Sequence, residues 1–277
     1  MRKPASTAQS SRSKVQMPDA SSDALGTPEP SSAPFWAPVA VAWSFLTIVP
    51  APTWSPSPGV LATSAAFFPL VGLALGALLG ILGLMLDQIL PAGPVAVLIL
   101  ATEALLTGGL HLDGLQDTAD GVFGGRTRDQ RLEIMKDSRI GAFGTIAAVV
   151  ALLGAFVCLA DLTGQARLLA LIASLTFSRW TMAIALAVFP SARSTGLGAS
   201  FRQCGRRWPA VVASIVVAAL AILVRPFGLI GLAIAALVVL FGGQFLTKRL
   251  GGLTGDCYGA LAVVVEVAVL YLAVGML

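Results

Sequence analysis

Seven stretches of the chain, at roughly 60–86, 94–112, 141–160, 166–189, 209–224, 227–247 and 257–277, run for 16 to 27 residues each with hardly a charge in them. A helix rises about 1.5 Å per residue, so about twenty apolar residues cross a hydrocarbon core of about 30 Å. Within that core backbone N–H and C=O groups must be satisfied by the chain itself, which leaves helices or a closed barrel as the spanning elements. These runs are continuous and do not alternate as barrel strands do. The expected fold is therefore all-α, a polytopic transmembrane helical bundle of about seven spans, with 209–224 short and 60–86 long enough to tilt. Composition agrees: 56% of residues are hydrophobic and 12% charged, against about a quarter charged in soluble domains. Cys158, Cys204 and Cys257 form no CxxC pair, so neither a disulfide scaffold nor a cysteine metal site is indicated.

Two N-terminal segments stand outside this pattern. Residues 1–34 hold eight serines and five prolines and are expected to form a disordered tail, having too little apolar surface to offset the entropy of ordering. No apolar run directly follows Arg2 and Lys3, which speaks against a cleaved signal peptide. The 15 residues from Phe35 to Val49, with Trp36 and Trp43 and a stop at Pro50, are too few to cross and read as an N-terminal interfacial helix. Residues 35–277 are then a single membrane-embedded domain.

Basic residues orient that domain. With the tail inside and all seven segments spanning, 15 of the 18 lysines and arginines fall on one side and only Arg167 and Arg225 on the other. The positive-inside rule makes the crowded side cytoplasmic. The net charge of +4 accordingly reads as loops facing an anionic leaflet of the lipid bilayer, not as a nucleic-acid surface.

One polar stretch dominates. From Thr107 to Gly144 the chain reads TGGLHLDGLQDTADGVFGGRTRDQRLEIMKDSRIGAFG, with the only histidine, His111, and six of the fourteen acidic residues. A plain connection needs only a handful of residues. Asp113, Asp117 and Asp120 are spaced by four and then three, which sets them within about 60° of one another on a helical face. Their repulsion asks for a positive partner, and a hard divalent cation such as Mg²⁺, shared with substrate phosphates, meets it. A solvated acidic face is the plainer alternative. Glu103 extends the same face from inside an apolar run, as a further metal ligand or as a partner of Arg179. His111, beside these acids, is a candidate general base or a hydrogen-bonding residue only.

Downstream, Lys136 and Arg139 lie among Asp129, Glu133 and Asp137, and cations facing a metal suit a phosphate ligand. For Arg128 and Arg131 the topology rule alone is a sufficient account. Arg179 and Glu266 sit inside spans, where a charge is a functional candidate by default, or each is the other's partner. The Gly-rich segments around Arg193 (190–198) and ending at Asp256 (251–256) fall on the same side and can offer backbone N–H groups to an anion. A Walker lysine, GxSxG and HExxH are all absent, which sets aside NTPase, serine-hydrolase and zinc-protease readings.

TGGLHLDGLQDTADGVFGG followed by RLEIMKDSRIGAFG, with SFLTIVPAP at 44–52, PSARSTGLG at 190–198 and GGLTGDCYGA at 251–260, resembles the pattern of the cobalamin synthases, the adenosylcobinamide-GDP ribazoletransferases. The resemblance covers residue 35 to the C-terminus. It implies a multi-pass enzyme of the bacterial cytoplasmic (inner) membrane that needs Mg²⁺ and works on the cytoplasmic face. The implied reaction joins adenosylcobinamide-GDP to α-ribazole, or its 5′-phosphate, and releases GMP at the last stage of cobalamin biosynthesis. The roles expected for that reaction rest on the local chemistry: Asp113, Asp117, Asp120, Asp137 and Glu103 surround the metal. Lys136, Arg139, Arg179, Arg193 and Asp256 contact substrate phosphates, and His111 accepts the hydroxyl proton. The alternative enzyme is one like the CDP-alcohol phosphotransferases, which also use membrane-embedded aspartates. The alternative class is a transporter coupled through Glu103, Arg179 and Glu266, although no internal repeat of the kind common in transporters is visible.

Overall fold

The computed structural model describes residues 34–52, 57–193, 201 and 207–277, and among them there is no strand, only an isolated bridge between Ser191 and Leu253. The tail expected at 1–34, but for its last residue, lies outside the described residues, as do Arg202, Cys204, Arg206 and 194–198 of the Gly-rich segment. Among the described residues ten helices can be bounded, in order. They are α1 (Ala37–Leu46), α2 (Pro58–Leu86), α3 (Ala92–Thr107), α4 (Leu110–Ala119, continued by a π turn, Asp120–Gly124) and α5 (Arg128–Ile134). Then come α6 (Ala142–Asp161), α7 (Gly164–Val188), α8 (Trp208–Leu223), α9 (Phe227–Leu250) and α10 (Gly255–Met276).

Five of these, α2, α6, α7, α9 and α10, are long and apolar enough to cross a bilayer, and α3 with α4 makes a sixth if that bent pair is one span. The expectation of about seven spans is revised at two places. The 94–112 run does not stay straight: its helix stops at Thr107, and Gly108 and Gly109, both with positive φ (60° and 70°), turn the chain by 88° into α4. L-residues with a Cβ resist that backbone region, so two adjacent glycines are the local reason for the break. The second is α8, whose 16 residues span about 24 Å at the helical rise.

α7 is the axis of the bundle. Along its length Ser174, Thr176, Ser178, Arg179 and Thr181 are buried together with its leucines and alanines. The hydroxyls do not go unsatisfied: Thr176, Ser174, Ser178 and Thr181 each donate to a carbonyl one turn back. α2 lies against α7 through Gly72, Gly76 and Gly80, where any Cβ would run into the backbone or side chains of residues 168–176. Small residues every fourth position allow this close approach, which replaces the hydrophobic driving force that lipid removes. Outside, α6 presents Ile146, Val150, Leu153 and Val157 in one stripe, each more than half exposed, a face that lipid can cover and water cannot.

The end of the bundle away from the polar stretch is closed by a buried ion pair. Arg167 Nη1 meets Asp87 Oδ1 at 2.6 Å, its Nε donates to the carbonyls of Leu159 and Leu162, and Asp87 Oδ2 accepts from the N–H of Gly164. The ends of α2 and α6 and the start of α7 are joined there by nearly fully used polar groups, as a charge at that depth requires.

Candidate active site

The opposite end collects the charged residues of the polar stretch. α4 packs across the first turns of α10 because two glycines permit it. A Cβ on Gly114 would lie 2.7 Å from the carbonyl oxygen of Asp256, and one on Gly259 would lie 3.2 Å from Cα of His111. That approach brings the acidic face of α4 to Asp256. Asp117, half-buried, feels the like charges of Asp113, Asp256 and Asp120 and the opposite charge of Arg193. Asp256 in turn accepts from Thr254 Oγ1 at 3.2 Å and faces Arg193 and Asp113. Three carboxylates and one guanidinium from three separate parts of the chain therefore lie within electrostatic range at this end of the bundle.

Asp120 has a different position. Its two oxygens accept 2.8 Å hydrogen bonds from the backbone N–H groups of Gly141 and Gly144, so it caps the start of α6 from another helix. Uncapped first-turn N–H groups need such an acceptor, and the helix dipole favours an anion there. Gly141 and Gly144 leave room for the carboxylate where a Cβ would strike it.

The loops bearing Arg193 and Asp256 are joined to each other. The N–H of Ala192 donates to Leu253 O at 2.9 Å and the N–H of Leu253 to Pro190 O at 2.8 Å. α5 sits over both. Its first turn is fixed by a capping box between Thr127 and Gln130. Arg128, Arg131 and Arg193 all bond to backbone carbonyls around it, with Arg193 reaching Leu132 O and Arg131 reaching Arg249 O. An open cavity of about 520 Å³ adjoins Asp113 and Gln116 and is walled by Phe45, Ile48, Leu110 and Leu112.

Several expected members are elsewhere. Glu103 and Arg179 belong to an intramembrane cluster: Arg179 Nη1 meets Glu266 at 2.7 Å, and its Nη2 meets Glu103 at 3.2 Å. The shared helical face of Glu103 and the aspartates assumed one continuous helix, which the 88° turn removes. His111 is buried on the side of α4 facing Glu103, Thr107 and Glu266, with neither ring nitrogen bonded among the described residues, and is not with the aspartates. Asp137 pairs with Arg139 at 2.6 Å in the exposed loop after α5, and that partner holds its carboxyl down to about 2. Lys136 is exposed beside them. Of the metal and phosphate residues expected, Asp113, Asp117, Asp256 and Arg193 are brought together. Among the described residues no three histidine, cysteine or acidic side chains close into a ready-made metal cage.

Fold and site together define a polytopic helical membrane protein with an acidic, arginine-bearing site at one end of its bundle. The sequence model of cobalamin-5-phosphate synthases matches residues 38–274, and the chain belongs to that family of enzymes. The adenosylcobinamide-GDP ribazoletransferase of Desulforamulus reducens is 42% identical over 84% of this chain and 94% of its own length. The proteins of the same name from Roseiflexus sp. and Escherichia coli K12 are 41% and 36% identical, over 85% and 82% of this chain and 88% and 93% of theirs. No solved structure matches.

Proposed function

We propose that the chain moves adenosylcobinamide phosphate from adenosylcobinamide-GDP onto α-ribazole, or α-ribazole 5′-phosphate, and releases GMP. The observation that carries this reading is the close packing of α4 on the start of α10, which sets the charges of Asp113, Asp256 and Arg193 within electrostatic reach of Asp117, in a chain whose relatives are named for that transfer. The carboxylates of Asp113 and Asp117 accept no hydrogen bond among the described residues, so their charge is not consumed by the fold as that of Asp120 is. Such a carboxylate, with Asp256, whose other oxygen is not taken by Thr254, fits Mg²⁺, which takes one or two carboxylates together with substrate phosphates and needs no protein cage. Asp117 and Asp256 would hold it, and when bound it supplies neutralising charge at the pyrophosphate and the departing GMP.

Arg193 binds phosphate oxygens, where a guanidinium fork is the best-matched donor. Asp113, exposed beside the 520 Å³ cavity, accepts the hydrogen bond of the acceptor's 5′-hydroxyl and takes its proton as the oxygen attacks. A P–O bond forms to the ribose oxygen, the P–O bond to GMP breaks, and GMP leaves with the bridging oxygen. We assign the reaction to the cytoplasmic face of a bacterial inner membrane, a reading supported by the positive-inside rule applied to the sequence, with Arg126, Arg128, Arg131, Lys136 and Arg139 in the polar stretch that bears the site. Purified protein in liposomes should release GMP from adenosylcobinamide-GDP only when α-ribazole, or its 5′-phosphate, and Mg²⁺ are both supplied. Acceptor-independent release, or none from well-folded protein, overturns the reading.

A further inference from the structure

Arg128 stands in the first turn of α5, half-exposed, and all three guanidinium nitrogens are engaged. Nε donates to Leu250 O at 2.9 Å, Nη2 to Ala192 O at 3.0 Å, and Nη1 to Asp129 at 3.2 Å on the surface. The two carbonyls belong to different loops. Ala192 immediately precedes Arg193, and Leu250 ends α9 just before the segment that delivers Asp256. The local backbone is shaped to receive this side chain. Gly251 has φ of +76°, and a Cβ there would lie 2.7 Å from Arg128 Nε; Gly252, φ +155°, would strike the backbone of residues 190–192. The last carbonyls of α9 also carry the negative end of its dipole, which favours a cation at this spot.

We propose that Arg128 is a positioning residue: by bridging the carbonyls of Ala192 and Leu250 it sets Arg193 against Asp256 for the transfer. This rests on the reading of Arg193 and Asp256 as the groups that meet the substrate pyrophosphate and its metal. A lysine has the charge but not the planar fork that reaches two divergent acceptors. The bridge therefore needs arginine, and the effect falls on the reaction step because a displacement of about 1 Å costs about 10²-fold in rate.

The test uses the full-length enzyme in liposomes, measuring kcat and KM for both substrates alongside thermal unfolding. Arg128→Ala should lower kcat by about 10²-fold and Arg128→Lys by about tenfold, with KM for α-ribazole unchanged. Asp129→Ala, which removes only the surface pair, should match wild type. The deciding readout is a double-mutant cycle. If Arg128 acts through Arg193, Arg128→Ala/Arg193→Ala is no slower than Arg193→Ala alone, whereas a general structural role makes the two losses multiply. Multiplying losses, or Arg128→Ala within twofold of wild type, overturn the inference. If Arg128→Ala does not accumulate, Arg128→Lys takes its place in the cycle. Unchanged donor kinetics in Arg193→Ala would instead remove the site reading itself, a separate result.

Discussion

Asp117 and Asp120 are three residues apart on one helix, yet they answer to different physics. Asp120 gives both oxygens to the N–H groups that begin α6. Asp117 is half-buried with like charges around it, and only the weaker field of Arg193 opposes them. Asp120→Asn keeps one acceptor and turns an amide N–H toward a backbone N–H, so it should lower stability by about 1–3 kcal/mol. Asp117→Asn relieves repulsion and should leave the melting temperature unchanged or slightly higher, while GMP release falls about 10²-fold, the scale of losing a charge-stabilising group. Thermal unfolding and turnover measured on the same detergent preparations separate the two. Equal stability losses, or an active Asp117→Asn, would show that this division of roles is mistaken. Asp137, already neutralised by Arg139 on the surface, is a poor candidate for either role.

At the scale of elements, glycines decide which helices can touch. Gly114 admits the carbonyl of Asp256, and Gly76 admits the backbone of residues 171 and 172 of α7. An alanine at Gly114 must push α4 off α10 and with it Asp117 from Asp256. Activity should fall about tenfold or more, with the bundle intact. Gly76→Ala pries α2 from α7 instead, and overpacking of that kind costs about 1–3 kcal/mol of stability. Gly93→Ala, where a Cβ meets nothing within 4 Å, is the neutral control for both. Unfolding and turnover of the three variants check the assignment, and a fully active Gly114→Ala would sever α4–α10 contact from function.

For the whole molecule the question is which way the site faces. The charged end and the closed Asp87–Arg167 end are separated by the length of α6 and α7, so the site lies at one end of the bundle. Single cysteines at Gln116 and Ser191, in a background lacking Cys158, Cys204 and Cys257, should resist impermeant thiol reagents in intact cells and react once the cells are opened. Labelling from outside would invert the orientation while leaving the fold untouched.

Much of this was legible before any coordinates. Long apolar runs dictate helices because lipid offers the backbone no other partner, and five of the seven runs became long spans with ends close to those expected. The aspartates, Arg193 and Asp256 were visible as polar residues crowded to one side of the membrane. What the chain does not write locally is phase and proximity. Helical-face arithmetic carried Glu103 into the site only because it ran straight through Gly108 and Gly109, whose left-handed backbone breaks the register. Arg128 looked like a topology charge, since its two acceptors are carbonyls 64 and 122 residues away and every residue has a carbonyl. Burial in lipid is settled by runs of neighbouring residues, so sequence alone determined the five long spans; the approach of Asp256 and Arg193 to Asp117 depends on how distant helices pack, and only the tertiary structure decided it.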